Sequence, residues 1–140
     1  MSTSLPTQIP VRTHAHAEFI DITPQLSSSI PAGFSGVLTA FCQHTTAGLT
    51  INENADPDVI HDLLGALDRI APWRHADYRH GEGNSAAHLK ASLMGSSVTV
   101  PVTNGRLVLG TWQSVFFCEF DGPRSRRAVV QLLPRAEAGA

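Results

Sequence analysis

Apolar and polar residues alternate in both the first and last thirds of the chain, whereas in the middle the apolar ones recur every three or four positions. A period of two places side chains on opposite faces of a strand; a period near 3.6 gathers them on one face of a helix. Ile9 and Val11, then Phe19, Ile20 and Ile22, predict a strand pair over residues 8–13 and 18–23. "TPQLSSSI" predicts a short helical turn, with Thr23 as its cap and Pro24 at the first helical position. "GVLTAFCQ", residues 36–43, is rich in the β-branched and aromatic side chains that suit a half-buried strand.

The middle of the chain reads differently. In "DPDVIHDLLGALDRIAP", Asp56 is a natural N-cap, Pro57 fits the first turn, Asp58 favours the positive helix end and Pro72 stops the run. Val59, Ile60, Leu63, Leu64, Leu67 and Ile70 fall on one face, which the pattern assigns to the core. A second helix is expected from Asn84 or Ser85 to Gly95. "SVTVPV", "GRLVLG", "QSVFFCEF" and "RRAVVQLL" then return to strand character. Strands, two main helices and strands again predict a single α+β domain with largely antiparallel, sandwich-like sheets.

Length and composition narrow the function classes. A chain of 140 residues can bury one continuous core, and no repeat or linker divides it. The last six residues, "RAEAGA", are expected to fray. A net charge of −2 supplies no field to attract nucleic acid or an anionic membrane. The opening "MSTSLPTQIPVRT" has no secretory or transit pattern, and no apolar run approaches the ~20 residues of a membrane span. A cytoplasmic location is the expectation. Cys42 and Cys118 stand singly in apolar stretches and read as small buried hydrophobes rather than a disulfide.

Candidate chemistry concentrates in "DYRHGEGNSAAHLK", residues 77–90. Gly81, Gly83 and Ala86 match the spacing of a dinucleotide fingerprint, but no strand precedes them and no acid follows until Glu119, so the match is rejected. Two readings remain open. In the first, His80 and His88 are metal ligands; on one continuous helix their backbones would lie roughly 12 Å apart, so the chain must double back between them. His44 in "FCQHTTAG" is the candidate third ligand, since three imidazoles and an open position suit a catalytic zinc site. In the second, the helix start at Gly83, Asn84 and Ser85 holds a phosphate or carboxylate, with Lys90 and either Arg124 or Arg126 adding charge. Surface histidines and a plain helix cap would explain the same residues without a ligand. Glu53 in "TINENADP" has no capping or turn role and is the candidate general acid or base; Trp112 could stack on a ligand or fill a half-buried core or interface position.

Taken in order, "QHTTAGLTINENADPDV", "HGEGNSAAHLKASLMGSSVTVPV", "GRLVLGTWQ" and "EFDGPRSRR" resemble the YjbQ-like family, also called the secondary thiamine-phosphate synthase family. The resemblance covers about residues 43–127. It implies a β-sandwich-like α+β domain, a homotrimer, and a histidine cluster near the subunit interfaces. It also implies His44, His80 and His88 as the metal set, with Glu53 and Arg124 as polar, catalytic neighbours. The family name implies weak joining of a hydroxymethylpyrimidine diphosphate to a thiazole phosphate, with displacement of pyrophosphate. A diphosphate would bring Mg²⁺, whereas three imidazoles suit Zn²⁺.

The expected function is therefore a metal-dependent enzyme acting on a small phosphorylated molecule, with weak thiamine-phosphate synthase activity implied by the resemblance. One alternative is a trimeric protein that binds an anion without turnover. Another is that the motifs chiefly maintain the trimer interface.

Overall fold

The computed structural model describes residues 6–137. Its strands are β1 (Thr7–Arg12), β2 (Glu18–Asp21), β3 (Gly36–Cys42), β4 (Ala47–Glu53), β5 (Ser97–Thr103), β6 (Arg106–Leu107), β7 (Gln113–Glu119) and β8 (Ser125–Pro134). Its helices are α1 (Thr23–Ser28), α2 (Pro57–Ile70) and α3 (Ser85–Met94). The strands form a five-stranded sheet ordered β1-β8-β3-β5-β6 and a three-stranded sheet ordered β2-β7-β4. Every pairing is antiparallel, and the α+β architecture agrees with the sequence pattern.

The expected pairing of the first two strands does not occur. β1 pairs with β8 in the larger sheet and β2 with β7 in the smaller one. The chain crosses between sheets after Arg12, so Ile9 and Val11 and then Ile22 all reach one inter-sheet core. That core also contains Leu38, Leu49, Val100, Val115 and Phe117. The other face of the smaller sheet carries a second apolar cluster, in which Phe116, Cys118 and Phe120 meet Leu67 of α2 and Ala87 and Ala91 of α3.

Helix ends follow local chemistry, with one revision at Thr23. Asp56 caps α2 by accepting from Asp58 N at 2.9 Å, and α3 stops at Gly95 with φ 91°. Thr23, however, begins α1 after Ile22 and does not cap it; its hydroxyl accepts from Val115 N at 2.8 Å, tying the helix to β7. In "GRLVLG" only Arg106 and Leu107 pair, joined to β5 through an Asn104-Gly105 turn with φ of 50° and 79°. Two consecutive positive φ values are what a tight two-residue hairpin requires, and Asn-Gly supplies them with little strain.

The apolar face of α2 is covered less than its periodicity predicts. Leu67 is buried, while Val59, Ile60, Leu63 and Leu64 are only partly so and Ile70 is 67% exposed. Trp112 is also exposed, which removes the half-buried core reading. Both cysteines are buried and unpaired. Of the tail expected to fray, Arg135 donates its N–H to Ser35 O at 2.9 Å, and residues 138–140 lie outside the described residues, as do residues 1–5.

Candidate functional site

The links β1–β2, β3–β4 and β7–β8 all cross from one sheet to the other at the same end of the sandwich. Where they meet, the fold buries an ion pair. Glu119 is completely buried at the end of β7, and Arg126, in phase with inward-facing Ala128 and Val130 of β8, reaches it from the other sheet. Arg126 Nε donates to Glu119 Oε1 at 2.9 Å, and Nη2 donates to Oε2 at 2.5 Å and to Thr46 Oγ1 at 2.8 Å. Thr13 Oγ1 and Phe120 N supply further bonds to the carboxylate at 2.8 and 3.1 Å. Such satisfaction is what permits two charges to remain inside a low-dielectric core. Among the described residues, Arg126 Nη1 makes no hydrogen bond.

In front of Arg126 opens a cavity of about 300 Å³. His44 and Thr46 wall it from the β3–β4 link, Glu82 and Asn84 from the approach to α3, His88 from α3 itself, and Asp121 and Arg124 from the β7–β8 link. α3 can lie this close because Gly48 has no side chain: a Cβ there would meet Gly95 O at 2.7 Å. Arg124 is held by Asp121, donating from Nε to its carbonyl at 2.8 Å and from Nη2 to Oδ2 at 3.1 Å.

The three histidines are arranged unequally. His80 lies in a turn closed by Gly83 N donating to His80 O at 3.1 Å, so the chain doubles back as the spacing requires. Its ring stands over His88 with centroids 5.3 Å apart and planes at 81°. His44 shares the cavity with His88, but its Nε2 accepts the Arg127 N–H at 3.0 Å. Among the described residues, no three His, Cys, Asp or Glu side chains stand close enough to hold one metal ion. Burial pushes the His44 pKa down, and the charges of Arg126 and Arg127 push it further the same way.

A neutral His44 gives a pH test with a defined sign. Because the unfolded chain binds this proton more readily, stability should rise with pH up to about 6.5 and then level off. Chemical denaturation from pH 5 to 8 should show that rise in the natural protein and a flatter curve in His44→Gln. An unchanged slope in the variant would assign the rise to another group.

The residues expected to bind an anion diverge. Asn84 lines the cavity, whereas Ser85 and Gly83 line separate depressions on either side of the turn. Asn84 does not cap α3; its Nδ2 donates instead to Asp121 Oδ2 at 2.9 Å. Lys90 points away from the cavity and is buried against Asp68 of α2, with which it is ion-paired. Arg124 is at the cavity as expected, but Glu53 is not. Glu53 pairs with Gln113 at the far end of β4, about 20 Å along the strand from Ala47. Glu82 occupies the position expected of an acid, lining the cavity 3.8 Å from His80. The two thiols are not alternatives, since burial raises the pKa of both Cys42 and Cys118.

Sequence reasoning missed Glu119 and left Arg126 as an alternative to Arg124. Their signal was phase: a glutamate ending an otherwise apolar run, and an arginine two positions before Ala128 in the inward row.

The fold and cavity define a class: small α+β sandwich proteins with a polar, histidine-bearing site where the sheets are bridged. The chain belongs to the family described as UPF0047 protein YjbQ-like, which matches residues 7–135. UPF0047 protein YugU of Bacillus subtilis (strain 168) is 50% identical over 127 residues, spanning 89% of this chain and 96% of the relative. UPF0047 protein MJ1081 of Methanocaldococcus jannaschii is 45% identical over 125 residues, spanning 88% and 90%. Among solved structures, a YjbQ/UPF0047 protein of Clostridium acetobutylicum superposes with a TM-score of 0.87 at 48% identity, covering 91% of this chain and 99% of its own. A conserved hypothetical protein of Thermus thermophilus gives the same TM-score at 45% identity and the same coverage. The description UPF0047 protein YjbQ-like specifies no reaction.

Proposed function

We propose that this protein is a metal-dependent enzyme acting on a small phosphorylated molecule held in the cavity before Arg126. One observation carries the reading: His88 belongs both to the cavity and to the His80 pair, so an anion site and two imidazoles share a wall. The pair suits a transition metal. Zn–N bonds of about 2.0–2.1 Å put two imidazole centroids roughly 5 Å apart on a tetrahedral ion, and these are 5.3 Å apart. His44 would become the third ligand only by giving up its Arg127 bond; otherwise a second copy of the chain or the substrate must supply it.

When bound, Zn²⁺ would supply an acidic water or polarise a phosphoryl oxygen. The chain's own residues do the rest. Arg126 Nη1 and the Arg124 guanidinium donate to phosphate oxygens, and Glu82 takes the proton-handling role expected of Glu53. Thiamine-phosphate synthesis is the specific transfer implied by the family resemblance; with a diphosphate substrate, Mg²⁺ would accompany the leaving group. The incompletely covered face of α2 favours self-association, and the homotrimer implied by the family resemblance is what the solution mass will test.

A second reading, anion binding without turnover, is favoured by the bond that occupies His44 Nε2. One experiment separates the two. Protein purified without chelator should carry about one transition metal per chain, lose it in His88→Ala, and gain thermal stability with inorganic phosphate. Metal-free natural protein that still responds to phosphate, with the response intact in His44→Ala, would instead establish the binding protein.

A further inference from the structure

The orphaned carbonyl of Asn84 specifies more than an anion. Among the described residues, Asn84 Oδ1 is the only buried side-chain oxygen or nitrogen without a hydrogen-bond partner, and the residue is 7% exposed. Its orientation is determined by chemistry: Nδ2 donates to the Asp121 carboxylate at 2.9 Å, and turning the amide over would set one oxygen against another. Asp121 is in turn held by Arg124, so the amide is clamped. Native proteins seldom leave a desolvated acceptor unmatched, and a site built this way rejects ligands that lack the donor. The opposite demand comes from Arg126, whose buried side chain lines the same cavity and, among the described residues, leaves Nη1 without a hydrogen-bond partner.

We propose that Asn84 determines the ligand class: a phosphate monoester whose organic part carries a hydroxyl or ammonium donor. Arg126 Nη1 binds the phosphate and Asn84 Oδ1 accepts from that donor. The proposal rests on the phosphorylated-ligand reading of this cavity and narrows it. It makes donor-free alkyl phosphates weaker ligands than their donor-bearing counterparts. A hydroxyl and an ammonium satisfy the carbonyl equally in geometry, and the probes distinguish them.

The test is calorimetric titration of the purified, metal-replete protein with ethyl phosphate, 2-hydroxyethyl phosphate and 2-aminoethyl phosphate. At least one donor-bearing ester should bind about tenfold or more tightly than ethyl phosphate. In Asn84→Ala that preference should vanish, while ethyl phosphate binding changes by no more than about threefold. Equal binding of all three by the natural protein would overturn the proposal and leave the anion site standing, as would a preference that persists in the variant. Binding of none would overturn the phosphorylated-ligand reading as well. The ratio in the natural protein decides the question even if Asn84→Ala fails to fold.

Discussion

Glu119→Ala should destabilise the fold by about 3–5 kcal/mol, because it leaves the Arg126 guanidinium buried without its counter-charge. The carboxylate is fully buried and receives bonds from Arg126, Thr13 and Phe120, all at the end where the sheets are bridged. A loss of that size should lower the melting temperature by roughly ten degrees or more, on the order expected for a domain of this length. The double variant Glu119→Ala/Arg126→Met separates charge from packing. If burial of an unpaired cation is the cause, removing it should restore a large part of the lost stability. A double variant no more stable than Glu119→Ala would place the cost in lost packing instead. The double variant should also lose the phosphate response, since Arg126 supplies the free donor of the cavity.

The second large effect is expected at Gly48. A Val side chain there has no room: even a Cβ would stand 2.7 Å from Gly95 O and 3.1 Å from Met94 Cβ. Leu49 N also donates to that same Gly95 carbonyl at 3.0 Å, so the end of α3 is fastened to β4 at this point. Gly48→Val should force the helix outward, costing about 1–3 kcal/mol or more, and carry His88 away from His44. Equilibrium unfolding should show the loss of stability, and metal content should fall with it. Gly81→Ala is the control, since a Cβ at that position meets nothing within 4 Å. If both variants retain stability and metal alike, close packing of α3 is not what sets the histidine geometry.

The contrast between what the sequence revealed and what it concealed has a physical basis. Asp56 and Gly95 mark helix ends through local bonds and local φ values, so their roles could be read without tertiary structure. The turn that brings His80 to His88 is likewise short-range, which is why an eight-residue spacing could be turned into a fold-back requirement. Lys90 is the opposite case. The pattern along α3 could not say that it faces Asp68, because the partner lies on another helix. Glu53 shows the same limit: a residue in a polar run has no address until its strand is registered against β7. α2 was legible as a helix but not in its burial, because periodicity defines a face and not what covers it. The sheet partners of β1 and β2 were hidden for the same reason, since adjacent strands in sequence need not be adjacent in a sheet.

In many enzymes the reactive groups sit on loops that a scaffold holds at arm's length, so that specificity can drift while stability does not. Here the cavity walls are themselves the straps that join the two sheets, and the arginine that lines the cavity is part of the core. Variation of this cavity within the family should therefore come from exchanging single side chains such as Asn84, because lengthening or removing one of these links would undo the sandwich along with the cavity.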